Sequence, residues 1–216
     1  MEAVGKLRAR TVGEKLLKKE KLLKSAKKLF SLYGYDITTI KMITEDAGLS
    51  PAAFYLYFNS KIEVYRTLNM LGMEILEKMM AEAVPAGQAC CADRIRALAG
   101  AYAGFFREER EYYDIIAIVH LGQREFFVNR EMAPQLEEGT KKVIAMVSSV
   151  IEKGIRTGEF RKVDPWKTAV ALWGMIDGVL ILEVKKSTGF LGVTVAELVD
   201  RLVDLVRSGL TVRSAG

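Results

Sequence analysis

The chain predicts an all-α protein with a compact N-terminal group of short helices and a larger C-terminal helical domain. Three observations carry this. Apolar residues recur at the 3.6-residue helical spacing over long segments. The alternating apolar–polar runs of half-buried strands are missing, and there are only four prolines. With 50% apolar residues over 216 positions, the chain can bury a sizeable core and fill one or two small domains.

Taken in order, residues 1–14 carry Lys6, Arg8 and Arg10 among small residues. They read as a flexible basic arm, either disordered or able to reach a minor groove. Leu22, Ala26, Leu29, Phe30 and Tyr33 give the first helix one apolar face, and Gly34 closes it. Thr39 stands where a second helix needs its N-cap, with Ile40, Ile43 and Ala47 pointing inward. After a turn at Gly48, Ser50 caps and Pro51 opens a third helix. Ser60 to Glu63 has capping-box spacing and starts a fourth helix over 61–83, ending before a Pro85-Ala86-Gly87 linker. Two short helices joined by a tight glycine turn form a helix-turn-helix, here at about 39–58, whose second helix suits a DNA major groove.

Beyond the linker the periodicity predicts helices near 92–109, 112–128, 133–157, 165–186 and 194–210. Asp164-Pro165 is a start signal for the fourth of these, and Lys185 to Gly189 reads as a polar break before the last. Gly174 and Gly178 lie one turn apart on one face. Leu198, Leu202 and Val206 belong to a stripe on the final helix wider than one neighbour requires. These two helices either bury each other within a monomer or form an association surface between two copies.

The net charge of +5 is unevenly placed. Residues 1–61 hold 12 Lys and Arg against 6 Asp and Glu, and the rest of the chain is nearly balanced. The basic excess therefore coincides with the helix-turn-helix, as a phosphate-binding module requires. The N-terminus has no apolar core before Leu16, and the most apolar stretch, 169–184, is short and interrupted by Asp177. A cytoplasmic protein without membrane contact is expected. Cys90 and Cys91 are adjacent, so they read as reduced thiols or as a redox or metal-sensing pair, but not as a disulfide framework. There is no glycine-rich phosphate loop, no G-x-S-x-G and no metal-ligand spacing, and the single histidine lacks an evident nucleophile. No enzyme activity, cofactor or metal is expected.

The stretch 22–68 resembles the N-terminal domain of the TetR family of transcriptional regulators. The resemblance rests on Leu29, Phe30, Gly34, Tyr35, Thr38, Thr39 and Ile40, then Ala47-Gly48-Leu49-Ser50, then Phe54-Tyr55-x-Tyr57-Phe58 and Ser60-Lys61. It implies a three-helix DNA-binding domain, taken as 15–61, and a helical ligand-binding and dimerisation domain over 62–216 that includes the connecting helix. The implied function is a ligand-responsive regulator. It would act most simply as a repressor, bound as a homodimer to double-stranded operator DNA and released by a small-molecule inducer.

The resemblance carries DNA contact onto Thr39, Lys41, Pro51, Ala52, Ala53, Tyr55, Tyr57 and Lys61, with Ser50 capping the reading helix. Phe54 and Phe58, one turn apart, face the core and so turn Ala52, Ala53 and Leu56 outward. Hydroxyl and ammonium donors suit phosphate oxygens, whereas Ala52, Ala53 and Leu56 suit thymine methyl groups. No bidentate Arg–guanine or Gln–adenine contact is available from the centre of this helix. Lys41 could meet a base or a phosphate. The resemblance also implies a cavity in the body, for which Phe105, Phe106, Tyr112, Tyr113, Ile116, His120, Phe126, Phe127, Met146, Trp173 and Asp177 are the candidates. Each could equally be ordinary core, and the set points to a mostly apolar ligand.

Overall fold

In the computed structural model, residues 2–84, 87, 89–120 and 133–211 are described, with side chains placed for 13–84, 87, 89–117 and 137–211. The described helices are α1 (Glu2–Ile37), α2 (Ile40–Asp46), α3 (Pro51–Phe54), α4 (Lys61–Ala83) and α5 (Cys91–Glu108). They continue as α6 (Arg110–His120), α7 (Ala133–Arg156), α8 (Pro165–Val184), α9 (Ser187–Leu191) and α10 (Val195–Leu210). An isolated bridge between Phe160 and Thr211 is the β pairing among the described residues. The chain divides into two compact units, Met1–Gly72 with Glu111–Leu136, and Met73–Arg110 with Glu137–Gly216. The first therefore takes in half of α4 and all but the first residue of α6, which the expected boundary at residue 61 left to the second.

The core of the first unit is Leu22, Ala26, Leu29, Phe30, Tyr35, Ile43, Phe54, Phe58, Val64, Tyr65, Leu68 and Ile115. Gly34, at φ 79° and ψ 168°, ends the regular part of α1, a conformation that favours glycine. The break carries Tyr35 inward, where its ring lies 5.5 Å from Phe30 and 5.4 Å from Tyr65. Tyr33, expected in the core, is instead 51% exposed; the next residue but one has taken its place. α1 also starts at Glu2, where a flexible arm was expected. Residues 2–20 contain only isolated glycines and no proline, and Ala, Leu, Lys, Arg and Glu favour helix.

In the second unit α10 packs on α5 and α8. Arg96 of α5 reaches both Asp200 at 2.7 Å and Asp204 at 2.5 Å on α10. The α5 N-terminus is capped from a distance: Glu159 accepts N–H bonds from Cys91 at 2.7 Å and Ala92 at 2.9 Å. Gly154 lets the Phe160 ring lie directly on the backbone of α7, in space that a Cβ would need. The polar break expected at 185–189 is partly helical, as α9. Too short to show periodicity, it was not legible as a helix.

Candidate nucleic-acid interface and ligand cavity

The helix-turn-helix is built by local caps. Thr39 Oγ1 accepts the Met42 N–H at 3.1 Å and Ser50 Oγ accepts the Ala53 N–H at 3.2 Å. Between them Gly48, at φ 65°, closes α2, and the Leu49 N–H returns to the Thr44 carbonyl at 2.8 Å. This is the left-handed cap that glycine allows. Pro51 opens α3, which is a single turn, and the chain then tightens into turns through Tyr57. Phe54 and Phe58 are buried as expected. Ala52, Tyr55 and Leu56 are exposed, Leu56 to 79%, while Ala53 and Tyr57 are half-buried. The outward surface of α3 and of the turns that follow it is thus mostly apolar groups and one phenol. Lys41 is exposed on α2, 3.8 Å from Glu45.

At the α4 start, Ser60 accepts the Glu63 N–H at 3.3 Å. The Glu63 carboxylate, however, returns to the Asn59 N–H at 2.7 Å, one residue before the position a capping box would use. Lys61 is turned inward: its Nζ donates to the carbonyls of Tyr35 at 2.8 Å and Thr38 at 2.9 Å and lies over the Tyr35 ring. It fastens the α1–α2 connection to α4.

α6 is tied to the same unit by several polar contacts. Tyr65 donates to the Ile115 carbonyl at 2.6 Å, and Ser31 to Asp114 at 2.6 Å. Lys27 pairs with Glu111 at 3.1 Å and lies over the Tyr112 ring. Burial pushes the Tyr65 phenol well above its usual range, so it stays a donor. Gly72 lets α4 and α6 approach closely, since a Cβ there would meet Ile116 at 3.1 Å and Tyr112 at 3.2 Å.

The second unit holds a cavity of about 40 Å³, lined from α4 by Met80, from α5 by Leu98 and Tyr102, from α7 by Ile144, from α8 by Trp173 and from α10 by Leu202, among other aliphatics. Its polar fringe is a short chain in which Trp173 Nε1 donates to the Tyr102 hydroxyl at 3.1 Å and Tyr102 donates to Asp177 at 2.5 Å. Of the expected pocket residues, Trp173 lines this cavity and Asp177 borders it through Tyr102. Phe105 and Phe106 are buried on α5 outside the lining, Phe106 beneath the Arg110 guanidinium. Tyr112, Tyr113 and Ile116 lie on α6 in the first unit, and Met146 is half-buried on α7 but outside the lining. The side chain of His120, and Phe126 and Phe127, lie outside the described residues. The lining is mostly mid-sized aliphatics, whose sequence spacing is that of any helix core. Only the gap between helices distinguishes them.

Leu202 is 9% exposed and faces this cavity, so it packs within the chain itself. Leu198 and Val206 are half-buried, and Gly174 and Gly178 are exposed. A Cβ on either glycine would meet nothing within 4 Å. Trp166, Val170 and Met175 on α8, Phe190 and Leu191 on α9, and Leu205 on α10 are also exposed. The sequence had given no sign of the α9 pair.

Cys90 is half-exposed and Cys91 buried. Asp93 holds the Cys90 thiol above its usual range, and burial followed by Glu159 does the same for Cys91. Both therefore remain protonated thiols, poor nucleophiles. Among the described residues no group of His, Cys, Asp and Glu could hold a metal ion, and no helix is long and apolar enough to cross a membrane.

The model for bacterial regulatory proteins of the tetR family matches residues 22–68, and that for tetracyclin repressor-like C-terminal domains matches residues 95–206. The uncharacterized HTH-type transcriptional regulator YfiR of Bacillus subtilis is 30% identical over 166 residues, spanning 74% of this chain and 76% of its own. Among solved structures, the transcriptional regulator FadR from Bacillus subtilis in complex with stearoyl-CoA superposes with a TM-score of 0.73 at 18% identity, over 88% of this chain and 98% of its own. A regulator from Saccharomonospora viridis in complex with choline gives a TM-score of 0.75 at 21% identity, over 90% and 98%. At such identities the structures speak for the fold.

Proposed function

Because the chain belongs to the TetR family of bacterial transcriptional regulators, we propose that it binds operator DNA as a homodimer through α2 and α3. In this reading it is a repressor, released when a mostly apolar small molecule occupies the cavity among α4, α5, α7, α8 and α10. The observation that carries the DNA contact is α3 itself, a capped turn whose outer surface is left exposed by the described residues. Thr39, Tyr55, Tyr57, Lys41 and Lys61 would meet phosphates, while Ala52, Ala53 and Leu56 would face the bases.

The cavity walls favour an apolar chain, with Tyr102, Trp173 and Asp177 to receive one polar group. The stearoyl chain in the FadR complex is the kind of group they suit. At about 40 Å³ the cavity has room for a few waters, each needing about 10–15 Å³. A drug-sized ligand fills several hundred, so binding would have to spread the helices. Unbranched Met80 can repack as it does so. Three covalent routes lead out of this unit: α4 at Gly72, the start of α6 at Arg110, and the start of α7 at Leu136. A ligand weakens DNA binding only through tighter binding to the DNA-incompetent arrangement.

The dimer reading rests on Gly174 and Gly178. Glycine inside a helix costs about 1 kcal/mol against alanine, yet among the described residues nothing lies within 4 Å of a Cβ at either position. Close approach of a second backbone would account for both, and Val170 and Met175 on the same helix are exposed as well. Selection of bound sequences from random duplexes, followed by release with long-chain acyl-CoAs, tests the whole reading. Binding without sequence preference and without salt dependence would overturn it and favour a head that contacts protein.

A further inference from the structure

Just N-terminal to Leu22, α1 continues as a described stretch that its neighbours leave uncovered. Glu14 to Lys21 are all exposed, with Leu16 at 57% and Leu17 at 60%. At 3.6 residues per turn, Lys15, Lys18 and Lys19 fall on the same side of α1 as Leu22, Ala26, Leu29 and Phe30, the side buried in the core of this unit. One helix face thus changes from apolar to cationic where the core ends. Glu20 falls on the opposite side and Glu14 on a flank.

Lys19 fixes where the cationic part points. Its Nζ lies 5.4 Å from the centroid of the Phe58 ring, and Phe58 closes the turns that follow α3. The stripe therefore leaves the core beside the C-terminal end of the segment that would enter the groove. Lys15 and Lys18 have no ion-pair partner among the described residues.

We propose that the N-terminal part of α1 is a second DNA contact, with Lys15, Lys18 and Lys19 lying along the phosphate backbone that flanks the half-site. The proposal rests on α2 and α3 reading the operator. Unpaired ammonium groups in a row on one helix face match a ladder of phosphates, and each phosphate neutralised releases counterions whatever the base sequence. From Glu2 to Lys21 the helix measures about 30 Å, the length of about nine base pairs.

Two double variants of equal charge test this in the full-length protein: Lys15→Gln/Lys18→Gln on the stripe, and Lys21→Gln/Lys24→Gln turned away from it. All four positions are exposed, so the circular dichroism melts of both should match the wild type. On the selected duplex and on an unrelated one, the first double should flatten the slope of log affinity against log salt by about two units. The second should change it by less than about half a unit. The wild type should also gain affinity when flanking duplex is lengthened by about nine base pairs, and the first double should not. Equal flattening by both doubles, or none by the first, overturns the proposal. A wild type that binds no duplex in a salt-dependent way would instead remove the operator reading beneath it.

Discussion

Lys61 has an observed structural role that its expected phosphate contact would have to share. Its ammonium holds the carbonyls of Tyr35 and Thr38, so Lys61→Ala should strand them and cost about 1–3 kcal/mol, read as a lower denaturant midpoint. If the same group also reaches a phosphate, the salt slope of DNA binding falls by about one unit; an intact slope would leave it a clasp alone. Which residues were legible in the sequence follows from the range of their interactions. Thr39 and Ser50 were readable because a cap bonds to a backbone N–H three residues away. Tyr33 was misread because periodicity cannot register that the Gly34 break swings Tyr35 into the same space. Trp173 and Asp177 were found beside the cavity, but Leu98, Ile144 and Leu202 were not. Their role depends on distances between helices that no local pattern encodes.

Among the elements, α5 and α6 are joined through Glu109 yet belong mainly to different units, and each is fixed by bonds of its own. The remote cap on α5 makes a pH prediction. Burial opposes the charge on Glu159, but the N–H bonds of Cys91 and Ala92 prevail and hold its carboxyl below the ordinary value of 4.5. Its folded pKa lies below the unfolded one, so the stabilisation is present above about pH 4.5 and fades as pH falls through the depressed value. Glu159→Gln should cost about 1 kcal/mol at neutral pH, with the gap to wild type closing in acid; a gap independent of pH would contradict the charged cap. The α4–α6 crossing makes a second prediction. Gly72→Ala must push aside Ile116 and Tyr112, which stand 3.1–3.2 Å from the added carbon. Operator affinity or the inducer concentration for release should shift severalfold although Gly72 lies outside the helix-turn-helix. Unchanged values for both, in a protein of wild-type stability, would show that this crossing carries no coupling.

At the scale of the whole molecule, two reading heads need a fixed spacing of about 34–36 Å to meet successive major grooves, and the proposed dimer would provide it. Leu205 is the sharper probe of that dimer than Leu202, because it is exposed whereas Leu202 supports the cavity. Leu205→Glu should yield folded monomers in light scattering and lose tight operator binding; a wild type that stays monomeric at micromolar concentration would refute the dimer. The bare alanine and leucine surface formed by α3 and the turn after it has a last consequence, for the chemistry of the operator itself. A head that recognises thymine by its C5 methyl is blind to the pyrimidine ring that carries it. Replacing key thymines with deoxyuridine should therefore weaken binding by about 1 kcal/mol or more per site. Methylating cytosine at C5 in the same positions should recover part of what a thymine-to-cytosine change removes. Such a repressor would sense the epigenetic state of its promoter as well as its sequence.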